Sequence, residues 1–313
     1  MVSSVSSLPT IYPLDNNGEL IRLLSELTGE SREVVIQRLI DEEEVLGTNV
    51  RRDLKSAGVP PHVWSEALVD FYRTTKSFLY ETSVWNRAPL KLEMRNWIGQ
   101  FFAERAPGRS LKVLSFGDGL GFDSAYLAAA GHQVTYYEVA DECVHFAKQV
   151  FAANGQTIRV IQSADQLQAE EFDAVISMDV LEHVPSPSEC VGMFSGWLKP
   201  GGWLIAHSPF FFTTWHRVTH LESNRKYSGC KELYRQHNLQ PVDGRLFWDP
   251  IALEKSTAVP RERRLARINV GAVLLGIGRY ANAIHCAVAQ SKAQPDRRWR
   301  DDLVQRQQAL KSV

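Results

Sequence analysis

The chain has 313 residues, of which 44% are hydrophobic and 23% are charged, so it can bury a large core. Its formal net charge is -1, which excludes the global basic field typical of nucleic-acid-binding proteins. Its 4 cysteines are scattered without C-x-x-C spacing, which argues against a disulfide framework or a zinc knuckle. These features predict a cytoplasmic protein whose partner is a small molecule rather than nucleic acid.

Neither the N-terminal stretch nor the most apolar later segment is predicted to be a membrane segment. The N-terminal stretch MVSSVSSLPTIYP lacks the basic start and the continuous apolar core of a signal peptide. The most apolar later segment, INVGAVLLGIGRYANAIHCAVA, is interrupted by Arg279 and His285. We therefore expect no membrane span.

Residues 1–106 form the first predicted region, and it is helical. From Asn17 onward apolar residues recur at helical spacing, with breaks at Gly29 and at residues 58–61. The pattern predicts an N-terminal extension that caps a ligand cleft and selects the substrate. The alternative is that this region forms the surface of a homodimer.

Residues 107–291 alternate short β-rich runs with helical stretches, which is typical of a parallel sheet covered on both faces. The fold class is predicted to be α/β, a doubly wound, Rossmann-like and mainly parallel seven-stranded sheet. The predicted strands are LKVLSF, QVTYYE, IRVIQS, FDAVISM and GWLIAHS, then one within LQPVDGRLFWDPIAL and a last one at AIHCAVAQ. Residues 292–313 are predicted to be a C-terminal helical tail.

The stretch FGDGLGFDS, residues 116–124, places glycines at alternate positions directly after the first strand. Such a loop lets a ligand approach the backbone and the N-terminus of the next helix. The G-x-x-x-x-G-K-[ST] pattern of a phosphate-binding P-loop does not occur. The dinucleotide pattern G-x-G-x-x-[GA] is nearly met, and Glu138 ends the next strand at a suitable distance for a ribose. The loop alone does not separate a nicotinamide cofactor from S-adenosylmethionine.

Two later segments carry a family resemblance. FDAVISMDVLEHV, followed by LKPGGWLIAHSP, in this order after FGDGLG, resembles class I S-adenosylmethionine-dependent methyltransferases, especially the ubiquinone-pathway O-methyltransferases. The resemblance covers about residues 111–249. It implies S-adenosylmethionine as cofactor and S-adenosylhomocysteine as product.

The resemblance also implies roles for individual residues. Gly117, Gly119 and Gly121 would lie under the methionine part of the cofactor, and Glu138, followed by Val139, would hold the ribose hydroxyls. The other implied cofactor contacts are the adenine contact at Asp165 or the backbone of Ala164, and Asp179 where the cofactor and acceptor sites meet. Ser115 departs from the family, which usually has an acidic residue there, and Asp118 or Asp123 is expected to hold the ammonium group instead.

Methyl transfer to a hydroxyl requires removal of its proton, and histidine has the most suitable ordinary pKa for that task. Four histidines follow the fourth and fifth predicted strands: His183, His207, His216 and His220. His220 is the first candidate for the base, and His216 and His183 follow it. The alternative is that each of them only hydrogen-bonds to the structure.

The run Asp179-Val180-Leu181-Glu182-His183 suggests a second mechanism. If it begins a helix, Asp179, Glu182 and His183 share one face, and with His220 they have the ligand types of a divalent metal site. The pattern is similar to the metal-binding motif of small-RNA 2′-O-methyltransferases and of some ubiquinone-pathway enzymes. Metal-free relatives also share Leu-Glu-His-Val, so the use of a metal stays open.

Together these features predict methyl transfer to a small-molecule acceptor, at a hydroxyl oxygen, with histidine-assisted deprotonation. The alternatives are an N- or C-methyltransferase, a catalytically silent module that binds S-adenosylmethionine, and a nicotinamide-dependent oxidoreductase.

Overall fold

The computed structural model describes residues 9–211, 213, 217–244, 250–256 and 296–312. The predicted strand AIHCAVAQ and the candidate base His216 lie outside these ranges.

The N-terminal region is helical, as predicted. Asn16 caps the first helix by accepting a hydrogen bond from the Glu19 amide, and Gly29 ends it in a left-handed conformation, with φ 70°. Ser31 caps the second helix in the same way. The six helices of this region are α1 (Asn17–Thr28), α2 (Arg32–Glu44), α3 (Thr48–Ser56), α4 (Glu66–Thr74), α5 (Ser77–Trp85) and α6 (Pro89–Arg105).

The C-terminal tail is also helical, and it packs against the N-terminal region. This helix, α11 (Arg297–Lys311), buries Leu303 completely. The side-chain amide of Asn17 in α1 donates to Asp302 at 2.8 Å and to the Trp299 carbonyl at 3.1 Å. Residues from the two ends of the sequence therefore form one helical layer.

The sheet has seven strands, which confirms the predicted fold class. Their order is β3-β2-β1-β4-β5-β7-β6, and all neighbours are parallel except those of β7, which runs antiparallel to β5 and β6. The strands are β1 (Lys112–Phe116), β2 (Gln133–Tyr137), β3 (Arg159–Ile161), β4 (Phe172–Met178), β5 (Leu198–His207), β6 (Leu239–Gly244) and β7 (Ile251–Lys255). The helices that follow β1, β2, β4 and the loop after β5 are α7 (Phe122–Ala129), α8 (Asp141–Ala153), α9 (Pro187–Trp197) and α10 (Glu232–Arg235).

This topology places the glycine loop at a reversal of strand order. The chain leaves β1 toward β2 on one side, and β4 lies on the other side of β1. Ligands bind at such switch points in open α/β sheets, outside the carboxyl ends of the strands. The fold therefore predicts a binding cleft above FGDGLG.

Two details of the predicted strands are wrong. The predicted fifth strand was GWLIAHS, but β5 begins earlier, at Leu198, and includes LKPGG. Gly202 lets β5 lie close to β4, because an added Cβ there would be 2.9 Å from the Asp173 carbonyl oxygen. The segment LQPVDGRLFWDPIAL contains parts of two strands rather than one, since β6 and β7 pair antiparallel. Periodicity does not locate this reversal.

No helix within the described ranges is both long enough and apolar enough to cross a bilayer.

Candidate active site

A cavity of about 890 Å³ lies between the N-terminal helices and the carboxyl ends of the strands. Its wall includes the glycine loop and Glu138 on the sheet side, and residues of α4 and α5 on the helical side. The same cavity is lined by Asp179, His183 and His220. The cavity thus brings together part of the predicted set. The predicted residues in its wall are Gly117, Gly119, Glu138, Val139, Asp179, His183, His207 and His220, whereas Asp118, Gly121, Ala164 and Asp165 are not in the wall.

The three glycines of the loop all have positive φ, at 70°, 60° and 80°, but they serve different purposes. A Cβ on Gly117 would lie 2.6 Å from Val180, and one on Gly121 would lie 2.7 Å from Phe151. A Cβ on Gly119 would meet only Thr82, at 3.5 Å. Gly117 and Gly121 therefore permit close packing, whereas Gly119 presents open backbone to the cavity, as a cofactor in contact with the loop requires.

Glu138 follows β2 directly and is fixed by main-chain donors. Its carboxylate accepts hydrogen bonds from the amides of Gly119 at 3.0 Å, Val139 at 2.8 Å and Ala140 at 3.1 Å. Burial raises the pKa of Glu138, and these three hydrogen bonds oppose the shift. An ionised carboxylate held in this way keeps lone pairs for two further donors, which fits the vicinal hydroxyls of a ribose.

The side chains of Asp118 and Asp123 bind other protein groups, and neither residue lines the cavity. Asp118 accepts from the amide and the hydroxyl of Ser124, at 2.7 and 2.6 Å, and so caps the start of α7. Asp123 is buried in ion pairs with Lys91 at 2.8 Å and Arg95 at 2.7 Å. Burial and the neighbouring Asp123 raise the pKa of Asp118 to about 7. These contacts do not support the prediction that either residue holds the ammonium group of the cofactor.

The predicted adenine contacts lie in a short 3-10 helix at Ala164–Gln166, just after β3. The side chain of Asp165 is exposed, and neither Asp165 nor Ala164 is part of the cavity wall. Val139 does line the cavity, with 66% of its surface exposed. The adenine contact stays a prediction.

Asp179 is held at the carboxyl end of β4 by side chains from three elements. Its carboxylate accepts from the Trp85 indole at 2.9 Å and lies 2.7 Å from His207 Nδ1 and 3.6 Å from Lys91 Nζ. Although burial opposes the shift, His207 and Lys91 lower the pKa of Asp179 well below its usual range. The carboxylate is therefore ionised and fixed beside the cavity.

The expected helix at residues 179–183 does not form, so the predicted three-residue face is wrong. Asp179 has a φ of 61°, which a right-handed helix excludes, and its amide continues the strand pairing by donating to the His207 carbonyl at 2.9 Å. The residues after it form turns. Asp179 is not part of the group of candidate metal ligands that lie within 4.8 Å of one another.

Glu182, His183 and His220 do come together. Within the described ranges they form a group whose potential ligand atoms all lie within 4.8 Å of one another. The His183 and His220 rings meet edge to face at 4.7 Å, and His183 Nε2 is 3.8 Å from a Glu182 carboxylate oxygen. Glu182 and His220 are buried, with 1% and 6% of their surface exposed.

Burial favours the neutral form of both imidazoles. Burial lowers the pKa of His183 to about 4, even though the Thr219 carbonyl favours its charged form. Burial and the adjacent His183 also lower the pKa of His220 well below its usual range. His220 Nδ1 is buried without a hydrogen-bond partner in the described structure. Neutral imidazole nitrogens can accept a proton or bind a metal ion.

Several cavity residues come from the N-terminal helices, and helical periodicity did not single them out as functional. The Tyr72 hydroxyl in α4 lies 3.1 Å from His183 Nδ1. Glu81 in α5 pairs with Arg217 at 2.7 Å, just before the loop that carries His220. The sequence indicates only that these two residues lie on helices. Their partners are more than one hundred residues away along the chain, so no local pattern marks them as functional.

Part of the chain matches a known protein family. Residues 114–206 match the family described as methyltransferase domain. The chain is 36% identical over 110 residues to ubiquinone biosynthesis O-methyltransferase of Xanthomonas axonopodis pv. citri, covering 34% of this chain and 46% of the relative. It is 34% identical over 133 residues to the protein of that name from Bordetella avium, covering 41% and 50% respectively. The chain thus spans about half the length of the curated relatives it matches.

A solved structure with a similar arrangement is 1,6-didemethyltoxoflavin-N1-methyltransferase of Burkholderia thailandensis, determined with bound S-adenosylhomocysteine. The identity is 18%, the TM-score is 0.45, and the match covers 64% of this chain and 95% of that one.

The family match falls on the strands that carry the glycine loop, Glu138 and Asp179, and the observed sheet has the fold class predicted from the alternation of strands and helices. Residues 114–206, which carry the predicted cofactor loop, are thus similar to a methyltransferase domain.

Proposed function

We propose that this protein transfers a methyl group from S-adenosylmethionine to a hydroxyl oxygen of a small-molecule acceptor. The single observation that carries the proposal is the shared cavity, which is lined by Gly119 and Glu138 as well as by His183 and His220. The names of the curated relatives, ubiquinone biosynthesis O-methyltransferase, support oxygen as the methylated atom.

In this proposal the cofactor supplies an activated methyl group on a sulfonium centre, so the chain mainly has to align and desolvate the reactants. Glu138 binds the ribose and the backbone at Gly119 lies against the methionine part. The acceptor occupies the part of the cavity beside the histidines. Enclosure between the helices and the sheet excludes water from the reacting atoms.

His220 removes the acceptor proton. Its buried imidazole keeps a lone pair when neutral, and the Asp179 carboxylate favours the positive charge that forms on protonation. His220→Ala is then expected to lower turnover by roughly two to four powers of ten, the usual contribution of a general base, with S-adenosylhomocysteine affinity unchanged.

A second mechanism is favoured by one specific observation, the grouping of Glu182, His183 and His220 within 4.8 Å. A carboxylate and two neutral imidazoles are a suitable donor set for a divalent transition metal. These three residues would hold the ion, and the ion would lower the pKa of an acceptor hydroxyl. Chelation followed by magnesium or zinc addition separates the mechanisms, because only the metal route loses and then regains activity.

The experiment that tests the function uses labelled S-adenosylmethionine and fractionated cell extract. Calorimetry with S-adenosylhomocysteine comes first, and micromolar binding is the expected result. Methyl label should then appear in a small molecule in an alkali-stable ether linkage. Label in an amine or on carbon would replace O-methylation with N- or C-methylation.

Two outcomes would point to other classes of protein. Binding of S-adenosylhomocysteine without labelling of any fraction supports a silent binding module. Fluorescence that reports binding of reduced nicotinamide cofactor instead supports an oxidoreductase. The alternative in which the N-terminal helices form a homodimer surface is checked separately by light scattering. Salt-dependent retention on nucleic acid would contradict a purely small-molecule partner.

A further inference from the structure

His62, in the N-terminal helical region, makes three hydrogen bonds to the loop that carries His220. This residue lies between α3 and α4. Its amide donates to the Val218 carbonyl at 2.8 Å, and its own carbonyl accepts from the Glu222 amide at 3.0 Å. Its ring Nδ1 lies 2.9 Å from the His220 carbonyl oxygen. All three hydrogen bonds therefore reach residues 218–222.

The chemistry of the third contact defines the donor. A carbonyl oxygen only accepts, so the His62 Nδ1 carries a hydrogen and donates it to the backbone of His220. The hydrogen bond fixes the peptide group from which the His220 side chain enters the cavity. His62 itself does not line the cavity.

The backbone of His62 has a φ of 65°, in the left-handed region that non-glycine residues adopt infrequently. Such a conformation persists where the surrounding contacts enforce it. Here the enforcing contacts are the two main-chain hydrogen bonds to the loop of His220. The loop of His220 therefore docks onto the N-terminal region at a residue, His62, whose backbone conformation is energetically unfavourable.

The opposite side of the loop is also fixed. The Leu221 amide donates to the Glu182 carbonyl at 3.0 Å, and the Asn224 side chain donates to carbonyls of residues 181, 182 and 184. Val218 and Leu221 are buried in a small cluster with apolar residues of α3 and α4 and of the turn between them. The loop is therefore clamped between the methyltransferase core and the N-terminal helices.

We propose that His62 is a positioning residue for His220, so that the N-terminal helical region completes the catalytic site as well as covering it. The inference rests on the proposed role of His220 in acceptor activation. His62 acts through the His220 backbone and does not contact the reacting atoms. Its Nδ1 hydrogen bond sets where the His220 imidazole lies relative to His183.

Two substitutions test separately the Nδ1 hydrogen-bond donor of His62 and the positive φ of its backbone. His62→Gly tolerates a positive φ but has no donor, whereas His62→Asn tolerates a positive φ and places an amide donor close to the position of Nδ1. His145→Asn, at an exposed position of α8, is the matched control.

The first measurement is the imidazole ¹⁵N–¹H spectrum of the cofactor-free protein, with His220 signals assigned by comparison with His220→Gln. His62→Gly should shift or broaden the His220 signals, and His62→Asn and the control should leave them near the wild-type positions. The second measurement is turnover with the acceptor fraction that becomes labelled. His62→Gly should lower kcat by roughly tenfold or more while KM for S-adenosylmethionine stays within about twofold, because small misplacements of a catalytic group are that costly.

Wild-type His220 signals and wild-type kcat in His62→Gly would overturn the inference. Equal loss in His62→Asn and His62→Gly would also overturn it, because the donor would then not be the relevant feature. Failure of the wild type to transfer methyl groups would instead refute the proposed function, and the spectrum of His220 would still decide whether His62 positions that ring.

Discussion

Replacing Glu138 with alanine removes the carboxylate that we expect to bind the cofactor ribose. Hydrogen bonds to a charged group are worth about 1.5 to 3 kcal/mol each, and two ribose hydroxyls would lose their acceptor. Water entering the emptied space recovers part of this free energy. We therefore expect the affinity for S-adenosylhomocysteine to fall at least tenfold, which corresponds to about 1.4 kcal/mol.

The structure also predicts a smaller effect on folding. The three amides that donate to Glu138 lose their acceptor, but Val139 is 66% exposed, so water can reach this part of the chain. A cost of about 1 kcal/mol in the free energy of unfolding is expected, as for a typical hydrogen bond. Thermal unfolding of the cofactor-free protein measures this contribution separately from cofactor binding.

Calorimetry at several pH values completes the test. Burial raises the pKa of Glu138, so the wild-type affinity should decline as the pH falls through that raised pKa, because the carboxyl group becomes neutral. Glu138→Gln should bind weakly at neutral pH and lack this decline. Glu142→Ala in α8, outside the cavity wall, is the control and should bind normally. Binding within twofold of wild type in Glu138→Ala would refute the assignment of the ribose site.

Other predictions concern stability and metal dependence. Gly121→Ala should lower the free energy of unfolding by about 2 to 4 kcal/mol, since its Cβ would overlap neighbours at a φ of 80°, whereas Gly131→Ala, with a φ of 90° and open space, should cost only about 1 to 2 kcal/mol. Chemical denaturation compares the two, and equal losses would contradict the packing role of Gly121. Asp123→Ala should cost about 3 to 5 kcal/mol because it leaves Lys91 and Arg95 buried without their carboxylate. The lowered pKa of Asp123 means that its stabilisation is present above the pKa of the unfolded chain and is lost as the pH falls through the folded pKa, so acid titration of the variant should lack that component. Activity that survives exhaustive chelation would exclude the metal mechanism, and activity restored by zinc or magnesium would exclude the metal-free role of His220.

The helical N-terminus, the alternating α/β region and the glycine loop could all be predicted from the sequence, because each depends on local patterns. Helices and buried strands have characteristic periods, and glycine is the residue that best tolerates the positive φ found at Gly117, Gly119 and Gly121. The position of Glu138 at a strand end also follows from local order along the chain. The family resemblance was readable because its motifs lie close together within residues 111–249.

Only the tertiary structure decided which side chains share the site. A helix beginning at residue 179 would place Asp179, Glu182 and His183 on one face. Strand pairing with β5 instead holds Asp179 at a φ of 61°, and Asp179 is not part of the group that includes Glu182 and His183. His220 joins Glu182 and His183 from the loop after β5, and His62 is 158 residues away from His220 along the chain. Such contacts leave no periodic signal, because they depend on how the N-terminal helices dock onto the sheet. The sequence by itself thus determined the elements and the cofactor loop, whereas long-range packing determined which residues surround the acceptor.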